Sequence, residues 1–308
     1  MCSSVTSCSD NSQTKDIPIS NTDTILSDKN ITEEIDLAVS ETKTKAAEYT
    51  SQMRDNIWES VNMEYGRFQT PEEFIAETDY YIKAVSEFVS KENWFDVYNR
   101  KSNICHIEYL LTNGISYVEV EEKNGYQVYV YLKKDFFEHD LAPIVNVITN
   151  IIVPFNNNSS LSLIGGLSSY CQDKFGKNPS VHNYGIDVHT LANLFLNYSP
   201  ELFDKVFPVI GTKNARQNEY ADGDLRQLFC VLSYSFSKYL IDNFGIDCFM
   251  NLYESKNLIS DYNTFYGKSF DDIKLEWHSF VESYPGMTAE EYINYITELL
   301  TKHNYPIE

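Results

Sequence analysis

Two amides stand four residues apart in an otherwise apolar run, "LAPIVNVITNII", at Asn146 and Asn150. A helix repeats every ~3.6 residues, so side chains four apart share one face. Two imidazoles so placed would hold zinc. Two amides offer only weak neutral oxygens, which serve a metal when carboxylates stand beside them. The plainer use of buried amides is to satisfy each other or nearby backbone groups.

The other chemistry-bearing residues form no better set. His182 and His189 are seven apart across Gly185, so no single helical turn presents both. His189 and Asn193 share a face, but one imidazole and one amide do not make a metal site. His106 sits beside Cys105 in a stretch with strand alternation, where neighbours point to opposite faces. His139 precedes the amide-bearing run and can reach the mouth of a cleft there. The six cysteines, Cys2, Cys8, Cys105, Cys171, Cys230 and Cys248, contain no CxxC pair. The chain has no G-x-S-x-G elbow and no phosphate loop, and Tyr266-Gly267-Lys268-Ser269 has only the tail of the latter.

The elements that must position these groups divide the chain. Residues 1–30 are rich in Ser, Thr, Asp and Asn without an apolar period, which predicts a disordered tether. From Thr32 the apolar positions Ile35, Val39, Ala46, Met53, Ile57 and Val61 fall near helical spacing. Thr70-Pro71-Glu72-Glu73 starts a second helix with an N-cap, a proline at N1 and a glutamate at N3. These two helices are expected to pair as a hairpin over 31–92. Residues 104–133 switch to period two around two Asn-Gly dipeptides, which predicts a three-stranded antiparallel meander. Helices are expected at about 141–153, 161–175, 186–197, 200–208, 224–244, 246–255, 269–283 and 288–302. The fold class is therefore α+β. A helical hairpin precedes one domain over 93–308, whose small antiparallel sheet occupies 104–135 and whose helical part occupies 136–308.

Charge and hydropathy remove several function classes. The formal net charge is -21 with 43% hydrophobic residues. That suffices for a core, but no basic stripe exists to bind the polyanion of a nucleic acid. No run reaches the ~20 apolar residues of a membrane span. A membrane would be met only through a lipid anchor.

Two resemblances sharpen the reading. Cys2-Ser3-Ser4 followed by a polar stretch looks like the start of a mature bacterial lipoprotein with its signal peptide replaced by Met1. That resemblance implies lipidation at Cys2 and an extracellular, cell-surface location. Further along, "YVYLKKDFFEHDLAPIVNVITNII", "LSLIGGLSSYCQDKFG", "LSYSFSKYLIDNFGIDCFMNLY" and "YGKSFDDIKLEWHSFV" follow one another over about residues 115–283. This order and wording resemble the gluzincin zinc metallopeptidases, especially bacterial peptidases with an MA-like domain. In those, a strand leads to a helix bearing HExxH, and a second helix supplies a third ligand.

The resemblance implies that Asn146-Val147-Ile148-Thr149-Asn150 stands where HExxH would be. It aligns Gly165 with the third ligand, and places Gly166 and Tyr234 along the same cleft. Both imidazoles, the base and the third ligand are then missing together, so no cofactor is expected. The function expected is a catalytically inactive, exported peptidase-like protein that binds a peptide or protein. Two alternatives stand beside it: a metal-dependent hydrolase with ligands from His139, Asp140, His182 or Cys171, and an assembly role for the helical hairpin.

Overall fold

The backbone N–H and C=O groups along the extended stretches Glu48–Met53 and Ile104–Thr112 need partners that a lone strand cannot supply. The computed structural model, which describes residues 48–95, 104–122, 126–155, 159–214 and 223–307, resolves the need by pairing them. They form strands β1 (Glu48–Met53) and β2 (Ile104–Thr112) of one sheet. With β3 (Tyr117–Glu122) and β4 (Tyr126–Lys133) the strand order is β1-β2-β4-β3. β1, β2 and β4 are parallel, with Glu48 opposite Ile104 and Ile107 opposite Val128. β3 alone is antiparallel, running from Tyr117 opposite Tyr131 to Glu122 opposite Tyr126. Ile107, Tyr109, Val128 and Val130 are fully buried on the covered face.

This arrangement corrects the expected antiparallel meander. Asn113-Gly114 does not join neighbours, because β4 lies between β2 and β3. The physical reason lies in the side chains. β4 has a wholly apolar face and takes a central position, whereas Glu119, Glu121 and Glu122 suit an edge, where charge also discourages pairing with another chain.

The expected hairpin is corrected as well. Part of its first helix is strand β1, followed by the four-residue helix α1 (Asp55–Trp58) and irregular chain to Thr70. In Glu-Tyr-Thr-Ser-Gln-Met, Tyr49, Ser51 and Met53 are less exposed than their neighbours, a period of two. A parallel partner supplies the backbone hydrogen bonds that a helix would otherwise make. The earlier part of that expected helix, and the tether with Cys2, lie outside the described residues.

Helix α2 (Pro71–Phe88) begins as its capping residues require, with Thr70 Oγ1 accepting from the Glu73 amide at 3.2 Å. It buries Phe74, Thr78, Tyr81, Ile82 and Val85, spaced at three, four and seven. Phe74 meets Tyr109 of β2 edge-on at 4.9 Å. Residues 48–88 thus share the sheet's core and do not form a separate helical unit. Arg67 ties the irregular segment down through ion pairs to Glu77 and Asp140.

After the short helix α3 (Lys134–Glu138) come α4 (Ile144–Ile152), α5 (Leu161–Phe175), α6 (Val188–Tyr198) and α7 (Pro200–Val206), the last running into a 3-10 turn at Phe207–Val209. The chain continues as α8 (Gly223–Phe244), α9 (Ile246–Tyr253), α10 (Leu258–Tyr266), α11 (Phe270–Ser283) and α12 (Ala289–Lys302). α10 lies outside the helices expected from sequence, although Gly267, in the left-handed region at φ 68°, is the usual stop signal for a helix. α5 and α8 cross so closely that a Cβ on Gly166 would run into Ser237 and the Ser233 carbonyl. The same core continues through the helical half to Trp277, which is fully buried between Phe207 and Phe236.

Candidate functional site

The amide-bearing helix α4 is almost wholly interior. Asn146 is 4% exposed and Val147 0%, and Asn150 alone is half-buried. α4 packs against α2 on one side and α5 on the other. Two rungs join α4 to α5, one through the Asn146 backbone and one through the Asn150 side chain. Gln172 Oε1 accepts from the Asn146 backbone amide at 2.9 Å. It thereby satisfies one of the first-turn donors that a helix cannot pair itself. One turn on, Ser168 Oγ donates to Asn150 Oδ1 at 3.0 Å, while Asn150 Nδ2 donates to the Asn146 carbonyl at 3.2 Å. Residues four apart on one helix meet residues four apart on the other, running in opposite directions.

This register places Ser168, and not position 165, against Asn150. Gly165 is half-exposed, and a Cβ there would meet nothing within 4 Å. Gly166 belongs to the contact with α8. Tyr234 does not line an open wall: it is 3% exposed, and its hydroxyl donates to Asp173 Oδ2 at 2.8 Å.

Asp173 is the hub of the adjoining polar interior. Its carboxylate also accepts from the Ser180 amide at 2.7 Å and from Asn183 Nδ2 at 2.6 Å. Burial raises its pKa above the usual carboxylate range, and the three hydrogen bonds work in the opposite direction. Burial beside this carboxylate drives the Tyr234 hydroxyl pKa far up, so it stays a donor. Next to this hub His182 is 3% exposed, and burial holds its imidazole well below the usual range.

The fit to zinc can be judged from these donors. Asn150 spends both amide atoms on protein partners, Val147 is in the core, and the α5 side chain bonded to Asn150 is the Ser168 hydroxyl. Two amides and a hydroxyl do not make the ligand set that zinc requires. The alternative ligands are also dispersed in other roles. His139 bonds the His303 carbonyl at 3.0 Å, Asp140 pairs with Arg67, and Cys171 is a buried thiol pushed up to about 12 by burial. Among the described residues no three His, Cys, Asp or Glu converge.

His189, the other histidine weighed, is a core residue. Its Nδ1 lies 2.9 Å from Ser235 Oγ, to which Trp277 Nε1 donates at 3.1 Å, and its ring meets Phe280 edge-on. Burial lowers its pKa to about 4; Asp187 and Asp242 act against this and Lys238 with it. A histidine whose folded pKa is depressed contributes stability that is complete above its unfolded value and is lost as pH falls through about 4. The loss amounts to roughly 3 kcal/mol. Replacing His189 with Gln should flatten that part of the curve when urea midpoints are compared at pH 7 and pH 4. An unchanged slope would show that other groups carry it.

At the far end of α4 a groove of about 490 Å³ opens among Trp94, Ile152, Val153, Pro154 and Tyr253. The Lys91–Glu254 ion pair lies on its rim. No helix among the described residues is long and apolar enough to cross a membrane. A scan against known protein families found none that matches the chain, and a search of curated proteins returned no match.

Proposed function

We propose that this chain is a catalytically inactive, metallopeptidase-like protein that binds a peptide or protein. The observation that carries the reading is the two-rung ladder between α4 and α5. Where two imidazoles and a carboxylate would converge on a metal, Asn146, Asn150, Ser168 and Gln172 bond to one another and to backbone. The pairing keeps the two helices in register without an ion, and a buried polar set that is satisfied internally needs no cofactor to hold it. The resemblance over residues 115–283 supports the peptidase-like ancestry. The groove at the end of α4, apolar below and charged at the rim, has the character of a site for a short peptide segment.

Purified protein equilibrated with zinc and then desalted should hold no stoichiometric metal by atomic absorption. It should also leave a casein or mixed-peptide substrate uncleaved with any divalent metal. One zinc per chain, or metal-dependent turnover, would overturn the proposal. Export and lipid anchoring at Cys2 belong to the same reading, supported by the Cys-Ser-Ser start and the polar stretch after it. Fatty-acid labelling of the protein expressed in a bacterium with its native upstream sequence should mark the wild type and not the Cys2→Ala variant.

A further inference from the structure

Helix α12 is held differently from the other long helices. It has no buried residue, although Tyr292, Ile296 and Leu300 at i, i+4 and i+8 give it a half-buried apolar stripe. Its attachments fall at three points. At its start a capping box closes the first turn between Thr288 and Glu291. Just before that, Gly286 lies against Asn193, whose side chain bonds the Val281 and Glu282 carbonyls at the end of α11. At mid-length Tyr295 donates to the Tyr184 carbonyl at 3.1 Å.

Beyond its last turn is a clasp. His139 and His303 each place ring Nδ1 on the other's carbonyl oxygen, at 3.0 and 3.1 Å. Tyr305 stands edge-on to Phe136 at 5.5 Å and to His139 at 5.4 Å, and Lys133 donates to its hydroxyl at 3.3 Å.

The two ends belong to different parts of the molecule. The start is tied to α11 in the helical half, and the clasp grips the end of β4, helix α3 and His139 just after it. Fourteen residues at ~1.5 Å each give the helix a reach of about 21 Å between them. Against it lies the segment after α5, where Tyr184, at a left-handed φ of 52°, offers the carbonyl that Tyr295 bonds. That segment carries His182 and Asn183 of the Asp173 network.

We propose that α12 is a detachable strap, pivoting at Pro285-Gly286, that lifts as a unit and uncovers Tyr184 and Phe136 while the sheet and the α4–α5–α8 core stay folded. A helix with little buried area, held by a few contacts near its ends and middle, opens at lower free energy than the whole domain. The inference rests on the placement of α12 and is independent of the proposed function.

Native-state hydrogen exchange on the intact chain tests it. Amides of 289–302 should exchange on the order of 100-fold faster than those of α8, as a cooperative unit. Tyr305→Ala should speed α12 by about tenfold further and leave α4, α5 and α8 unchanged. Exchange of α12 in step with α8 in the wild-type chain would overturn the proposal. So would an effect of Tyr305→Ala that is absent, or shared equally by α4, α5 and α8.

Discussion

A variant carrying Asn146→His, Asn150→His and Ser168→Glu should bind one zinc ion per chain, whereas the same two histidines combined with Gly165→Glu should bind it at least about tenfold more weakly. The expectation follows from the register of α4 and α5. Positions 146 and 150 share a face, and Ser168 Oγ already stands 3.0 Å from Asn150 Oδ1. A carboxylate at 168 would therefore complete a His-His-Glu set, while one at 165 would project into open space. Enlarging the buried position 146 overpacks the site by about 1–3 kcal/mol in the metal-free state. Zinc at a thousand times its Kd returns about 4 kcal/mol by mass action. The measurement is a thermal unfolding midpoint with and without zinc, together with metal content. Equal affinity in the two variants would show that α5 does not face α4 in this register. The zinc-loaded variant should show no metal-dependent peptidase activity, because position 147 holds a buried valine and no base.

The second large effect concerns Asp173. Its substitution by Ala leaves the Tyr234 hydroxyl, the Ser180 amide and the Asn183 side-chain amide without the acceptor they share. Each buried donor left unpaired costs about 1–3 kcal/mol, and the three are coupled through one carboxylate, so the sum is not additive. A loss of about 4 kcal/mol is expected in urea unfolding near neutral pH. Asp173→Asn keeps the shape and one acceptor oxygen and should cost roughly half as much, and Tyr234→Phe, which removes one donor only, about 2 kcal/mol. A smaller loss for Ala than for Asn would mean that solvent enters and satisfies these donors, and the hub assignment would fail.

Much of the helical part was legible because local chemistry marks it. Thr70-Pro71 and Thr288 cap their helices as their spacing to Glu73 and Glu291 requires, and the bounds of α5 follow from its small-residue run. The α+β class was equally readable from the change of period at residue 104. The order of strands was not. Asn113-Gly114 suggests a hairpin locally, but which strand lies at the centre depends on how much apolar surface each one buries against distant helices. β1 escaped because Met53, Ile57 and Val61 also fit helical spacing, and nothing local reports a parallel partner.

At the site, the amide pair Asn146 and Asn150 could be found by spacing alone. Ser168 and Gln172 carry the same four-residue spacing on the next helix, and matching the two pairs would have predicted the ladder. The family resemblance instead implies Gly165 as the third position, which the register does not bring against Asn150. Asp173 carried no motif at all, since its three donors come from two separate segments.

The pairing of β1 with β2 also sets a timetable. Glu48 meets Ile104 and Met53 meets Tyr109, so every contact of β1 in the sheet spans fifty-six positions. Closing a loop of that length carries a chain-entropy cost on the order of 3–4 kcal/mol before any strand contact offsets it. On a ribosome adding about 5–20 residues per second, β1 waits several seconds for its partner to exist. During that interval Tyr49 and Met53 have no sheet to cover them. β1 is therefore the edge strand expected to join the sheet last, its partner being made long after it.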